Sequence, residues 1–188
     1  MKKLSTLLGE LRLKRLRLYS NLTNCLDGSI IEVGVYRGGS ALCLARNKIK
    51  TKKLFCFDTF EGMPKTNPEY DNYHKEKNFN NTDFNFVKEI LEKHENTFVY
   101  KGVFPEFNSE FVVDEKFSLA HIDVDIYQSY IDCLNFIYPR MVVGGIIIFD
   151  DYNEKTCLGA KKAVDEFLAD KKESLIWKVG PQAAIVKQ

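Results

Sequence analysis

Residues 118–152, SLAHIDVDIYQSYIDCLNFIYPRMVVGGIIIFDDY, contain two apolar runs, 119–124 and 142–149. Each run ends in paired carboxylates, Asp123/Asp125 and Asp150/Asp151, and a helix-length segment at 127–137 separates them. Short continuous runs rich in Ile and Val suit strands buried on both faces, so the stretch reads as a parallel strand–helix–strand unit. Parallel pairing brings both acidic ends to one edge of the sheet. In open α/β sheets ligands sit outside the carboxyl ends of the strands, and four carboxylates gathered there make a candidate cation site.

Composition bounds what surrounds this unit. The chain has 188 residues, 45% hydrophobic and 28% charged, which fits one globular α/β domain with a sizeable core. A net charge of +1 supplies no field for nucleic acid, so no nucleic-acid partner is expected. The five cysteines are widely spaced and contain no CxxC, so they read as reduced thiols in a cytoplasmic protein. The longest apolar run, 141–149, is far short of the roughly 20 residues of a membrane helix, and no signal-peptide core precedes the charged residues of the N-terminus.

Residues 2–22 carry Leu4, Leu7, Leu8, Leu11, Leu18 and Leu22 near helical spacing, predicting an amphipathic helix within an N-terminal segment, 1–24. It packs on the domain, 25–188, or against a second subunit, which keeps a homo-oligomer among the expected partners. GSIIEVGVYRGGSALCLARN follows at 28–47: a short strand, a glycine turn and a helix starting near Ser40. The glycines permit a tight turn close to a ligand and the helix start offers free N–H groups, although the spacing is not GxGxxG. A second strand at 53–57 ends in Asp58, 19 residues after Gly39, where a carboxylate suits a ribose diol.

Residues 59–83 form a 25-residue stretch without period, a lid candidate in which Tyr70, Asp71, Tyr73 and His74 suit a polar acceptor. Asp83 is placed to cap a helix at 84–94. A third strand at 97–101 leads into Gly102 and Phe104, the latter a purine neighbour or a core residue. A weak helical segment is expected at 108–113, the fourth strand at 117–124 and a helix at 159–169. Last come strands at 174–179 and 183–186, paired antiparallel across Gly180-Pro181.

The segments IEVGVYRGGSALCLA, FDTFEGMP, YKGVFPE and HIDVDIYQSYIDCLNFIYPRMVVGGIIIFDDY resemble the successive motifs of the macrocin O-methyltransferase family, the TylF/MycF-like group. These are S-adenosylmethionine-dependent enzymes that methylate sugar hydroxyls. The resemblance implies a three-layer, doubly wound, Rossmann-like class I methyltransferase fold with a seven-stranded, mostly parallel sheet whose last strand is antiparallel. It implies S-adenosylmethionine and Mg²⁺ as cofactors and a small-molecule or glycan acceptor. Glu32, Gly34 and Gly38 would lie by the methionine part of the cofactor, Tyr36, Arg37, Ser40, Thr59 and Asp123 within its site, Asp58 on the ribose, and Gly102 and Phe104 near the adenine. Asp123, Asp150 and Asp151 would ligate the metal, which would hold an acceptor hydroxyl and lower its pKa.

The proton acceptor does not carry over, because Ile126 stands where related cation-dependent enzymes carry a lysine. Asp125 and, from the lid, His74 are the candidates, with Asp123 beside them as a catalytic residue. His121 reads as a packed strand residue. Two other readings stay open on the residues alone. One is a nucleoside-binding α/β domain without catalysis, against which the cluster of like charges argues. The other is an NAD-dependent oxidoreductase, which the missing GxGxxG disfavours.

Overall fold

The computed structural model describes residues 3–188, the side chains of residues 177–179 excepted. In chain order the elements are α1 (Glu10–Thr23), β1 (Ser29–Val33), α2 (Gly39–Asn47), β2 (Leu54–Asp58), α3 (Phe84–Leu91), β3 (Thr97–Lys101), β4 (Phe117–Ile122), α4 (Tyr127–Ile137), β5 (Met141–Phe149), α5 (Leu158–Leu168), β6 (Trp177–Val179) and β7 (Gln182–Val186). Single 3-10 turns cover Ser109–Phe111 and Tyr138–Arg140. The sheet has seven strands in the order β3-β2-β1-β4-β5-β7-β6. Strands β1 to β5 are mutually parallel, and β7 runs antiparallel to both of its neighbours.

Apolar burial on both faces holds this sheet. Every residue of β1 and β4 is buried, as is the apolar part of β2. Helices α1, α2 and α3 seal one face with Leu16, Leu44 and Leu91; α4 and α5 seal the other with Tyr130, Leu134 and Val164. Each fully buried side chain of this size is worth about 1.5–3 kcal/mol, which is why uninterrupted Ile and Leu runs become central strands. The chain winds outward from β1 to β3, then returns to place β4 on the other side of β1. Such a reversal opens a crevice at the carboxyl ends of β1 and β4.

Several expected boundaries shift. The start of the helix expected over 2–22 falls partly outside the described residues, and the helix itself begins only at Glu10. Ser5 instead forms a parallel bridge with Gly38, which draws the preceding segment over the glycine turn. The buried face of α1 is Arg15, Leu16, Tyr19, Ser20 and Thr23, whereas Leu11, Leu18 and Leu22 are exposed. Leucines ring this helix, so their spacing alone did not select the packed face. Strand β4 stops at Ile122 because Asp125 takes a left-handed backbone, φ +60°, and Ile126 N closes a turn onto Val124 O at 2.6 Å. Asp83 does cap α3, its Oδ1 accepting from Phe86 N at 3.1 Å, but that helix ends at Leu91 rather than His94. The edge strand expected at 174–179 is shorter, only Trp177–Val179, and the strand antiparallel to the rest of the sheet is β7.

Glu173 fastens the C-terminal strand. Its buried carboxylate accepts from Tyr138 Oη at 2.7 Å, Lys187 Nζ at 3.0 Å and Gln188 N at 3.1 Å. Burial opposes ionisation, but the donors from Gln188, Tyr138 and Lys187 prevail and lower its pKa from 4.5 to about 2. A depressed carboxyl pKa stabilises the fold above pH 4.5, and the contribution disappears as pH falls through about 2. Glu173→Gln is therefore expected to lower the thermal midpoint at pH 7 and to flatten the loss of stability below pH 4.5. Parallel acid titrations of the two proteins by circular dichroism check this, and superimposable curves would refute it.

Candidate active site

A cavity of about 290 Å³ occupies the crevice between β1 and β4. Gly34 forms its floor. With φ +95°, it lies so close to β4 that a Cβ there would sit 1.8 Å from Asp123 O, so only glycine lets the two strand ends meet. Asp58 braces the turn above. Its Oδ2 accepts from Val35 N at 2.8 Å and Tyr36 N at 2.7 Å, and its Oδ1 from Phe60 N at 2.6 Å.

The cavity wall includes Gly34, Tyr36, Ser40, Asp58, Thr59, Gly102 and Phe104 among the residues expected around the cofactor. Phe104 is a core residue, buried and packed on Phe57 at 4.6 Å between ring centres, and it also lines the cavity. Tyr36 donates from Oη to Asn81 Oδ1 at 2.6 Å. Three of the expected residues lie outside the wall. Arg37 points away and donates from Nε to Asn81 O at 2.9 Å. Gly38 is the left-handed N-cap of α2, packed under Leu4 and Val87. Glu32 is buried inside the sheet.

Glu32 belongs to a polar chain crossing three strands. His121, its β4 neighbour in register, lies with Nδ1 2.9 Å from Glu32 Oε1 and Nε2 3.3 Å from Asp150 Oδ1. Burial alone would strip the proton from His121, but the hydrogen bonds and charges of Asp150 and Glu32 raise its pKa to about 9, so it is an imidazolium at neutral pH. Gln182 Nε2 on β7 donates to the same Asp150 oxygen at 2.6 Å, and Arg12 from α1 closes on the other oxygen. Asp150, expected only as a metal ligand, is thus also the acceptor for three donors, and despite its burial its pKa is lowered by His121 and Arg12.

The other acids are differently placed. Asp123 lines the cavity, and no donor reaches its carboxylate among the described residues. Burial, then the charges of Asp150, Asp151 and Asp125, push its pKa well up. Asp151 accepts from Asp125 N and Tyr130 Oη, both at 3.0 Å, yet burial and the neighbouring Asp125 and Asp150 raise it too. Among the described residues, the ligand atoms that converge are those of His121, Asp123 and Asp150, within 4.8 Å of one another; Asp150 lies off the cavity wall with both oxygens already engaged, and Asp123 and Asp151 are the members of the expected metal set that line the cavity. Carboxylate oxygens on that wall suit a hard divalent cation, which would relieve their mutual repulsion.

The lid residues separate. His74 is buried and lines the cavity, its Nε2 3.8 Å from Asp125 Oδ1 and 3.4 Å from Cys157 Sγ. Asp125 likewise lines the cavity, its pKa raised by burial although His74 and Cys157 pull against it. Asp71 instead caps α4, accepting from Tyr127 N at 2.9 Å, and Tyr70 packs on Tyr127 at 4.5 Å. Tyr73 is largely exposed. Arg12, Gln182 and Cys157 were not foreseen. Arg12 and Gln182 lie 138 and 32 residues from the carboxylate they serve, and nothing local to either marks it.

Residues 3–177 match the macrocin-O-methyltransferase (TylF) family. The chain is 27% identical over 182 residues to the demethyldecarbamoylnovobiocin O-methyltransferase of Streptomyces niveus, covering 87% of this chain and 68% of that protein. It is 26% identical over 181 residues to the mycinamicin III 3''-O-methyltransferase of Micromonospora griseorubida, covering 86% and 69%. The solved structure of the O-methyltransferase NovP superposes with a TM-score of 0.82 at 24% identity, over 97% of this chain and 82% of that one. The chain thus spans about two thirds of the length of these relatives. With a match running through nearly all of the domain and the same doubly wound fold, the chain belongs to the macrocin-O-methyltransferase (TylF) family of S-adenosylmethionine-dependent O-methyltransferases.

Proposed function

We propose that this protein transfers the methyl group of S-adenosylmethionine to a hydroxyl of a sugar or similar polyol, with a divalent cation, Mg²⁺, held by Asp123, Asp150 and Asp151. The observation carrying this reading is that one cavity has a glycine turn with Asp58 on one wall and Asp123, Asp125 and Asp151 on the other. The sugar methyltransferases named among its relatives support the acceptor class.

Gly34, Tyr36, Ser40 and Thr59 form the methionine side of the site, and Gly102 with Phe104 the adenine side. Asp58 accepts from the Val35, Tyr36 and Phe60 amides, and the Thr59 hydroxyl at 3.4 Å from Oδ1 lies closer to Gly62 O at 2.6 Å, so a ribose hydroxyl would take the place of that long contact on Oδ1. The cation, when bound, would lower the pKa of a coordinated acceptor hydroxyl. Asp125, with its raised pKa, takes the proton as the oxygen attacks the methyl carbon and the carbon–sulfur bond breaks. His74, with Nε2 3.8 Å from Asp125 Oδ1, brings the lid against the site. Positioning and electrostatics supply most of the acceleration.

Exposed Leu11, Leu18 and Leu22, at seven- and four-residue spacing on α1, support a homo-oligomer joined through that helix. Five free cysteines and the absence of any membrane-length apolar helix among the described residues support a cytoplasmic setting.

Thermal-shift titration tests the reading. S-adenosylhomocysteine at 100 times its Kd should stabilise the protein by about 2.7 kcal/mol, a rise of several degrees for a domain of this size, and Mg²⁺ should add to it. NAD should do nothing. No shift with S-adenosylhomocysteine would overturn the methyltransferase reading.

A further inference from the structure

We propose that His74, Asp125 and Cys157 form a second metal site, selective for Zn²⁺ or a similar borderline cation, which locks the lid onto the domain. The three residues come from three separate parts of the chain: the 59–83 lid, the β4–α4 turn and the N-cap of α5. Their donor atoms nevertheless converge. Cys157 Sγ lies 3.4 Å from both His74 Nε2 and Asp125 Oδ1, and Nε2 lies 3.8 Å from Oδ1.

Those separations approach a metal polyhedron. With Zn–N and Zn–O of about 2.0–2.1 Å and Zn–S of about 2.3 Å, tetrahedral donor-to-donor edges come to about 3.3–3.6 Å. The two sulfur edges at 3.4 Å fall in that range, and the Nε2–Oδ1 edge at 3.8 Å needs to close by about 0.4 Å when an ion enters. His74 and Cys157 are buried, and the His74 ring is held between Tyr73 and Phe79, at 5.2 and 5.7 Å. The fourth position opens to the cavity, which His74, Asp125 and the neighbouring Thr156 all line. Nitrogen, oxygen and sulfur together favour Zn²⁺ over Mg²⁺, which seeks oxygen only. This site is thus chemically distinct from the all-carboxylate group at Asp123, Asp150 and Asp151.

Binding requires Cys157 to lose its thiol proton to solvent while His74 coordinates as the neutral imidazole. The bound ion then bridges the lid, through His74, to α5, through Cys157. It also engages the Asp125 carboxylate. If Asp125 is the proton acceptor proposed above, Zn²⁺ inhibits methyl transfer; this consequence alone rests on that reading.

Titration of the intact protein with Co²⁺ tests the site without any turnover. One equivalent should produce a thiolate-to-cobalt charge-transfer band in the near ultraviolet with tetrahedral d–d bands in the visible, and Zn²⁺ should displace both. Excess Mg²⁺ should not. Cys157→Ser should abolish the charge-transfer band, whereas Cys25→Ser and Cys43→Ser should leave it. His74→Ala should weaken Zn²⁺ binding by at least the ~10–100-fold cost of losing an outer-shell partner. Asp123→Asn should leave the band intact, so failure here is separable from failure of the methyltransferase reading. X-ray absorption of the Zn²⁺-loaded wild-type protein needs no variant and should find one sulfur at about 2.3 Å. Absence of a charge-transfer band at stoichiometric Co²⁺, its persistence in Cys157→Ser, or a shell without sulfur would each overturn the proposal.

Discussion

Asp123→Asn is expected to remove most turnover while making the metal-free protein more stable. The carboxylate faces the cavity with no donor upon it, and its pKa stands well above 3.8 because burial and the charges of Asp150, Asp151 and Asp125 oppose ionisation. A raised carboxyl pKa means that stability is complete below the unfolded value and declines as pH rises towards the folded one. At neutral pH, above the unfolded value, this carboxyl therefore costs stability whichever form it holds in the fold, and the neutral amide abolishes that cost. Relief of about 1 kcal/mol corresponds to a midpoint some 2–4 °C higher. Turnover should fall on the order of 10²–10³-fold, the loss typical of deleting one preorganised polar group at a reaction centre. Mg²⁺ should stabilise the wild type more than the variant. Steady-state kinetics alongside thermal unfolding decides the matter, and a variant that is both active and less stable would contradict it.

Asp150→Ala should behave in the opposite way, as a folding defect. Its carboxylate is the shared acceptor of Arg12, His121 and Gln182. Deleting it leaves a buried imidazolium with Glu32 alone, a half-buried guanidinium whose main partner is lost, and a buried amide without its acceptor. Removing one partner of a buried ionic network costs about 3–5 kcal/mol, which lowers the midpoint by about 10 °C in a domain of this length. Asp150→Asn keeps an acceptor for Gln182 and should lose less. A midpoint within two degrees of wild type for Asp150→Ala would show that the network holds nothing together. The contrast between two neighbouring aspartates matters for interpreting turnover: inactivity in an Asp150 variant does not by itself identify a metal ligand.

Asp125 and His74 illustrate how far residue types can be read without coordinates. Their residue types alone suit a proton acceptor, and the fold brings both to the cavity. Cys157, by sequence only one of five reduced thiols, is the third member of their cluster because the start of α5 lies against the lid. Asp71 shows the opposite case. By sequence it suits an acceptor, yet Tyr127 N and Asn67 N hold its carboxylate, since the first N–H groups of a helix have no partner within the helix. The first helix was misjudged at its beginning, because the bridge from Ser5 to Gly38 outweighs the local preference for helix at 3–9.

The sequence alone determined the alternation of strands and helices, the parallel sheet and the gathering of acids at one edge. Those features follow from local periodicity and from the rule that parallel strands share their carboxyl ends. Only the tertiary structure decided how the acids divide. Asp150 is neutralised by an arginine from α1 and a histidine within the sheet, whereas Asp123 is left facing the cavity without a donor. Charge compensation depends on which distant side chains arrive within a few ångströms, and no pattern along the chain encodes that.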